Sequence, residues 1–166
     1  MRRGIAIGGF MATGKSTVGQ LVARQLTAPF LDLDAFIVKR AGISIPEIFT
    51  RRGEAGFRKL ERQALEIALR RGGVVLALGG GTLHSPGNLE RVQAAMDIVI
   101  LTASMQTLAA RGGSDRPLWP DAERLYRERQ PGYLRAGPQI RVDGLSPEVI
   151  ATRVVAAAGG EEQGWF

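Results

Sequence analysis

The chain has 166 residues, the usual length of one domain with a full hydrophobic core. Hydrophobic residues make up 45% and charged residues 23%, which excludes an intrinsically disordered chain. The formal charge is +6, there is no cysteine, and His84 is the lone histidine, so disulfides, thiolate metal sites and histidine metal cages are excluded.

No run approaches the length of a membrane span, so no transmembrane helix is expected. Of the 22 basic residues all but Lys15, Lys39 and Lys59 are arginine. The planar guanidinium pairs with carboxylates and phosphates at two points, so this composition suits small anionic molecules. A nucleic-acid partner is not expected: aromatics are 6% of the chain and no basic run is interleaved with them.

In chain order, Gly4-Ile5-Ala6-Ile7-Gly8 reads as a first strand rather than a leader, because it passes directly into a glycine-rich motif. Gly9-Phe10-Met11-Ala12-Thr13-Gly14-Lys15-Ser16 fits the G-x-x-x-x-G-K-[ST] phosphate loop at every position. A helix over about residues 15–27 follows, with Val18, Leu21, Val22 and Leu26 as its apolar stripe. The loop's N–H groups and the helix N-terminus would cradle phosphate, Lys15 would reach the β- and γ-phosphates, and Ser16 would bind Mg²⁺. Thr17 reads as a helix residue whose N–H also reaches phosphate.

Phe30-Leu31 marks a second strand. Asp32 and Asp34 follow two apart, which in extended chain puts both carboxylates on one side at the carboxyl end of the strand. One suits Mg²⁺ and the other suits orienting an attacking hydroxyl; alternatively, Asp34 caps a helix over 35–40.

A long helix begins near Glu54 and ends at Gly72-Gly73. Within it Arg58 is spaced to pair with Glu54 and Glu61 on the surface. Val74 to Leu78 form a third strand, followed by Gly79-Gly80-Gly81, either a flexible turn or a close approach of backbone to ligand. His84 could be a catalytic base, but nothing pairs with it in sequence, so it reads rather as a surface imidazole. Ser85-Pro86 and Ser146-Pro147 each look like an N-cap before a helix. Ile98 to Leu101 and Gln139 to Val142 supply two more strands.

Residues 111–121 carry Gly112-Gly113, Pro117 and Pro120 with no apolar period, which suits a surface loop or a lid. Pro131-Gly132 reads as a break before Tyr133-x-Arg135. Gly159 to Phe166 form a tail. Near-continuous apolar runs alternating with amphipathic segments indicate a single α/β domain with a parallel sheet.

In this order the loop Gly9–Ser16, Asp32-x-Asp34, Gly53-Glu54-x-x-Phe57-Arg58, Gly79-Gly80-Gly81, Arg116-Pro117-Leu118 and Tyr133-x-x-Ala136 resemble the shikimate kinases from about residue 4 to 155. The resemblance implies a nucleoside-monophosphate-kinase-like fold, with a five-stranded parallel sheet in order 2-3-1-4-5, a substrate-binding region near 33–60 and a lid at 111–121. It implies transfer of the ATP γ-phosphoryl group to the 3-hydroxyl of shikimate, with Mg²⁺ as cofactor. Asp34 would bind the shikimate hydroxyls and aid deprotonation. Arg58 and Arg135 would clamp the carboxylate, and Gly79, Gly80 and Gly81 would offer backbone contact. Ala12, Thr13, Gly14, Lys15, Ser16, Thr17 and Arg116 would hold the ATP phosphates, with Lys15 and Arg116 neutralising the transferring group. Ser16 and Asp32 would hold the metal, and Arg111 and Arg153 the adenine end. The expected protein is a cytoplasmic monomer acting on small molecules, without nucleic-acid or membrane partners.

Two departures stand out. Ala12-Thr13 replaces a usually smaller pair, so Thr13 must adopt an ordinary backbone conformation. Only Gly112 to Asp115 separate Arg111 from Arg116, a short lid. The rival readings are another small-molecule kinase, such as a gluconate kinase, and a non-catalytic binding module. Retention of Lys15, Asp34 and Arg116 speaks against the module.

Overall fold

A computed structural model describes residues 3–112 and 119–159. Five strands form one sheet: β1 (Gly4–Gly9), β2 (Phe30–Asp32), β3 (Val75–Ala77), β4 (Met96–Thr102) and β5 (Gln139–Arg141). Their order is β2-β3-β1-β4-β5, and every pairing is parallel. Helices are α1 (Lys15–Gln25), α2 (Leu33–Ala41), α3 (Ile45–Leu69), α4 (Asn88–Ala95), α5 (Met105–Arg111), α6 (Ala122–Ala136) and α7 (Pro147–Ala157). β1 is buried along its whole length, as a central parallel strand covered on both faces must be. Its Ile5, Ala6 and Ile7 join Val75, Leu76, Val99 and Ile100 in the core. α1 packs against α7, and α3 against α2 and α4.

The register positions the site. Asp32 pairs with Ala77, and Ala77 pairs with Ile7. The segments leaving β2, β3 and β1 therefore emerge side by side at one edge, and they are Leu33-Asp34, Leu78 to Gly81 and Gly9 to Gly14. The strand order reverses beside β1, so this edge is the crevice where parallel α/β sheets take ligands.

Several boundaries differ from expectation. α2 begins at Leu33, and its N-cap is Asp32, whose Oδ1 accepts from the Ala35 N–H at 3.0 Å. Asp34 therefore sits in the first helical turn, not in extended chain, and the two-residue alternation does not apply to it. The long helix expected from near Glu54 is present, but a shorter helix that starts at a capping box formed by Ser44 and Glu47 precedes it, and the two meet at a kink at Gly53 (φ 66°, ψ −178°). Ser85-Pro86 do not cap α4, whose N-cap is Gly87; Ser85 closes a short 3₁₀ turn over Thr82–His84. Ser146 does cap α7, accepting from the Val149 N–H. Pro131-Gly132 do not break the chain: α6 runs through them to Ala136.

α5 is held to the sheet edge from outside. The Asp143 carboxylate, just past β5, accepts from the Ser104 N–H and hydroxyl and from Thr107 Oγ1. Those hydrogen bonds hold its carboxyl well below the usual carboxylate range. The anchored helix ends in Arg111.

Candidate active site

The phosphate loop is shaped by bonds to one carbonyl. Phe10 O accepts from Thr13 Oγ1 at 2.8 Å, from the Thr13 N–H at 3.4 Å and from Lys15 Nζ at 2.8 Å. Thr13 is fully buried with ordinary backbone, as its β-branch requires; the left-handed residue is Ala12, at φ 65°. Gly14, at φ 92°, caps α1 without a side chain and leaves the first N–H groups of the helix facing the crevice. The Arg111 guanidinium comes over it, with Nη1 3.8 Å from where a Gly14 Cβ would stand.

A cavity of about 290 Å³ opens here. Ala12, Gly14, Lys15, Ser16 and Thr17 line one side, with Asp32, Asp34, Gly80 and Arg111 around the rest. Thr13 lies beneath it. Ser16 Oγ donates a short hydrogen bond to Asp32 Oδ2. One carboxylate thus caps α2 with one oxygen and meets the loop serine with the other.

Beyond the phosphate loop the three glycines form a floor. A Cβ on Gly79 would stand 3.0 Å from Asp34 Oδ1, 3.0 Å from Glu61 Oε1 and 2.9 Å from Thr82 Oγ1. A Cβ on Gly81 would stand 2.9 Å from Arg58 Nη1 and 3.0 Å from Arg129 Nη2. Bare Cα atoms therefore admit two acids on one side and two guanidiniums on the other. Arg58 pairs with Glu61 at 2.8 Å and with Glu54 at 3.4 Å, so the expected helical ion pairs do form. Glu61, however, is fully buried and also accepts from Thr82 Oγ1 at 2.6 Å. That makes the pair a fixed mount for Arg58 rather than a surface contact.

Arg129 was not singled out by the sequence, and it stands beside Arg58 at Gly81. Arg129 is buried, its guanidinium 5.5 Å from the centre of the Phe10 ring and against Gly81. Burial is the main influence pulling its pKa down, but a guanidinium starts so high that it stays charged. Arg135 is exposed on α6, and its carbonyl accepts from Gln93 Nε2. The signal was helical phase. Arg129 and the buried Tyr133 are four apart and share a face, whereas Arg135, two beyond Tyr133, points elsewhere. Reading Pro131-Gly132 as a break concealed that phase. Burial pushes the Tyr133 phenol up, so it remains protonated and donates to Gly80 O at 2.6 Å.

His84 is half-buried, not a surface imidazole. Arg153 lies exposed on α7, outside the cavity lining. Arg116 falls outside the described residues, as does most of the expected lid.

The arrangement joins a phosphate cradle, a pair of aspartates and two converging guanidiniums within one crevice. The family model for shikimate kinase matches residues 11–158. The chain belongs to the shikimate kinase family. The shikimate kinase of Geobacter sulfurreducens is 43% identical over 160 residues, covering 92% of this chain and 88% of that one. The solved shikimate kinase of Acinetobacter baumannii, in complex with shikimate, superposes with a TM-score of 0.92 at 29% identity, covering 98% of this chain and 96% of that one. A gluconokinase from Sinorhizobium meliloti shares the fold alone, with a TM-score of 0.62 at 15% identity and coverage of 97% and 95%.

Proposed function

We infer that this shikimate kinase transfers the γ-phosphoryl group of ATP to the 3-hydroxyl of shikimate, with Arg58 and Arg129 holding the substrate carboxylate. One observation carries the reading: two guanidiniums, one of them buried, converge on the bare Cα of Gly81, while Asp34 stands at Gly79 beside the phosphate loop. Glu61 and Glu54 pair with Arg58 from one side, and an anion at Gly81 would meet both guanidiniums from the other. A carboxylate there is met bidentately, and the ring it carries is thereby oriented.

Asp34 then binds the ring hydroxyls and accepts the proton of the attacking one. Lys15, the loop N–H groups and the amino end of α1 hold the phosphates and stabilise the charge that develops on them. Arg116 is assigned the transferring group, and Arg111 and Arg153 the adenine end; support for Arg111 is its place over Gly14.

Ser16 and Asp32 fit Mg²⁺. They supply a hydroxyl and a carboxylate, hard oxygen donors already in contact at the cavity. No cluster of three or more acidic or histidine side chains able to hold a metal occurs among the described residues, which suits an ion that keeps waters and substrate phosphates as its other ligands. When bound, Mg²⁺ neutralises phosphate charge and fixes the geometry of the chain of phosphates.

The protein acts on small molecules, as a cytoplasmic monomer in this reading. No helix among the described residues is long and apolar enough to cross a membrane. A coupled assay of ADP release with shikimate, gluconate and nucleoside monophosphates tests the reaction. Turnover is expected with shikimate. Turnover with another alcohol and none with shikimate overturns the assignment.

A further inference from the structure

His84 has no part in the chemistry above, yet it touches the shikimate side of the site in three ways. It ends the 3₁₀ turn that follows the three glycines. Its Nε2 lies 2.9 Å from the carbonyl oxygen of Arg129. A carbonyl only accepts, so Nε2 carries the proton and donates. Its ring stands edge-on to Tyr133, with centroids 4.9 Å apart and planes at 87°. A Cβ on Gly132 would lie 2.6 Å from Nε2, so the ring reaches this turn of α6 because residue 132 has no side chain.

These contacts lead to two substrate-facing groups. The Arg129 guanidinium lies at Gly81, and Tyr133 holds the Gly80 carbonyl. The other ring nitrogen, Nδ1, is buried with no hydrogen-bond partner among the described residues. The charges that act on the ring are Arg129 and Arg135 from α6 and Arg58 from α3, all positive. A second proton would therefore enter a buried position facing three guanidiniums.

We propose that neutral His84 is a positioning residue for shikimate, anchoring the Arg129 turn of α6 directly and the Gly80 carbonyl through Tyr133. The proposal rests on the reading that Arg129 holds the substrate carboxylate. Because this anchor lies on the shikimate side of the site, its loss weakens shikimate binding while ATP binding is spared. Burial, ahead of the surrounding guanidiniums, lowers the His84 pKa, so the ring stays neutral with its one proton on Nε2.

Steady-state kinetics on the full chain test it, with both substrates varied. His84→Ala is expected to raise the KM for shikimate about five- to tenfold, the effect of one hydrogen bond lost beside a binding group. Its KM for ATP stays within about twofold, because the phosphate loop is untouched. His84→Gln keeps an N–H near Nε2 and recovers most of the loss. An unchanged KM for shikimate in His84→Ala overturns the proposal, as does an equal rise for both substrates or a failure of His84→Gln to recover the loss. Arg129→Ala is measured alongside. If it leaves the KM for shikimate unchanged, the carboxylate reading itself fails. If it raises that KM while His84→Ala does not, the positioning role alone fails.

Discussion

At the scale of single residues, the site depends on side chains whose neighbours lie far off in sequence. Arg58 is mounted by Glu61, Glu61 is held by Thr82, and Arg129 lies across Gly81 from Arg58. Arg129→Ala should raise the KM for shikimate at least about thirtyfold, the usual cost of losing a buried charged contact. Arg135→Ala should stay within about twofold, as exposed substitutions do. Steady-state kinetics on the pair decide between them, and a larger effect from Arg135→Ala would reverse the assignment. Asp34→Asn should cut kcat about 10²- to 10⁴-fold, the range for a lost proton acceptor, in protein whose circular dichroism is unchanged. Turnover near that of the parent would remove Asp34 from the chemistry. Of these residues the sequence made Asp34 and Arg58 legible by motif. It did not single out Arg129, because reading Pro131-Gly132 as a break hid the phase of the helix.

At the scale of elements, α3 shows how one backbone angle sets a side chain's position. Ser44 and Glu47 start the helix, and Gly53 bends it one turn before Arg58. The conformation there, φ 66° with ψ near 180°, is open essentially to glycine alone. Among the described residues, leaving aside its chain neighbours and its own helix backbone, no atom lies within 4 Å of a Cβ placed at Gly53, so Gly53→Ala isolates the backbone cost. It should destabilise the protein by about 1–3 kcal/mol. Thermal denaturation should show a Tm lower by about 2–4 °C for each kcal/mol. An unchanged Tm would mean that α3 straightens without penalty. The helix from Glu54 was legible from its apolar stripe, but the helical turns before the kink were not. Ser44-Ile45-Pro46-Glu47 is a local start signal, yet the bend splits the periodicity that would have joined the two halves. α2 was misjudged for a related reason. Asp32 ends a strand and caps a helix at once, so strand alternation stops one residue earlier than the paired aspartates suggested.

At the scale of the molecule, two ligand regions share one sheet edge and meet at Phe10. Its carbonyl holds Lys15 and Thr13, while its ring packs against Tyr126 and lies under Arg129. The regions are nonetheless built by different residues, so their ligands should stabilise the fold separately. At a hundred times its Kd, each ligand should add about 2.7 kcal/mol to the folded state. In thermal-shift measurements ADP with Mg²⁺ should raise the Tm of the parent and of Arg129→Ala alike, whereas shikimate should raise the parent's alone. An equal response to shikimate in both would separate Arg129 from the substrate. The sequence by itself determined the strand–loop–helix around the phosphates, the alternating α/β order and the acids and glycines at strand ends. Those signals are local, carried by glycine spacing and short apolar runs. Tertiary structure alone decided which carboxylate caps α2, which arginine faces Arg58, and that His84 stands half-buried against α6. Those outcomes depend on helix phase and on contacts such as His84 with Arg129, 45 residues apart, which no local pattern contains.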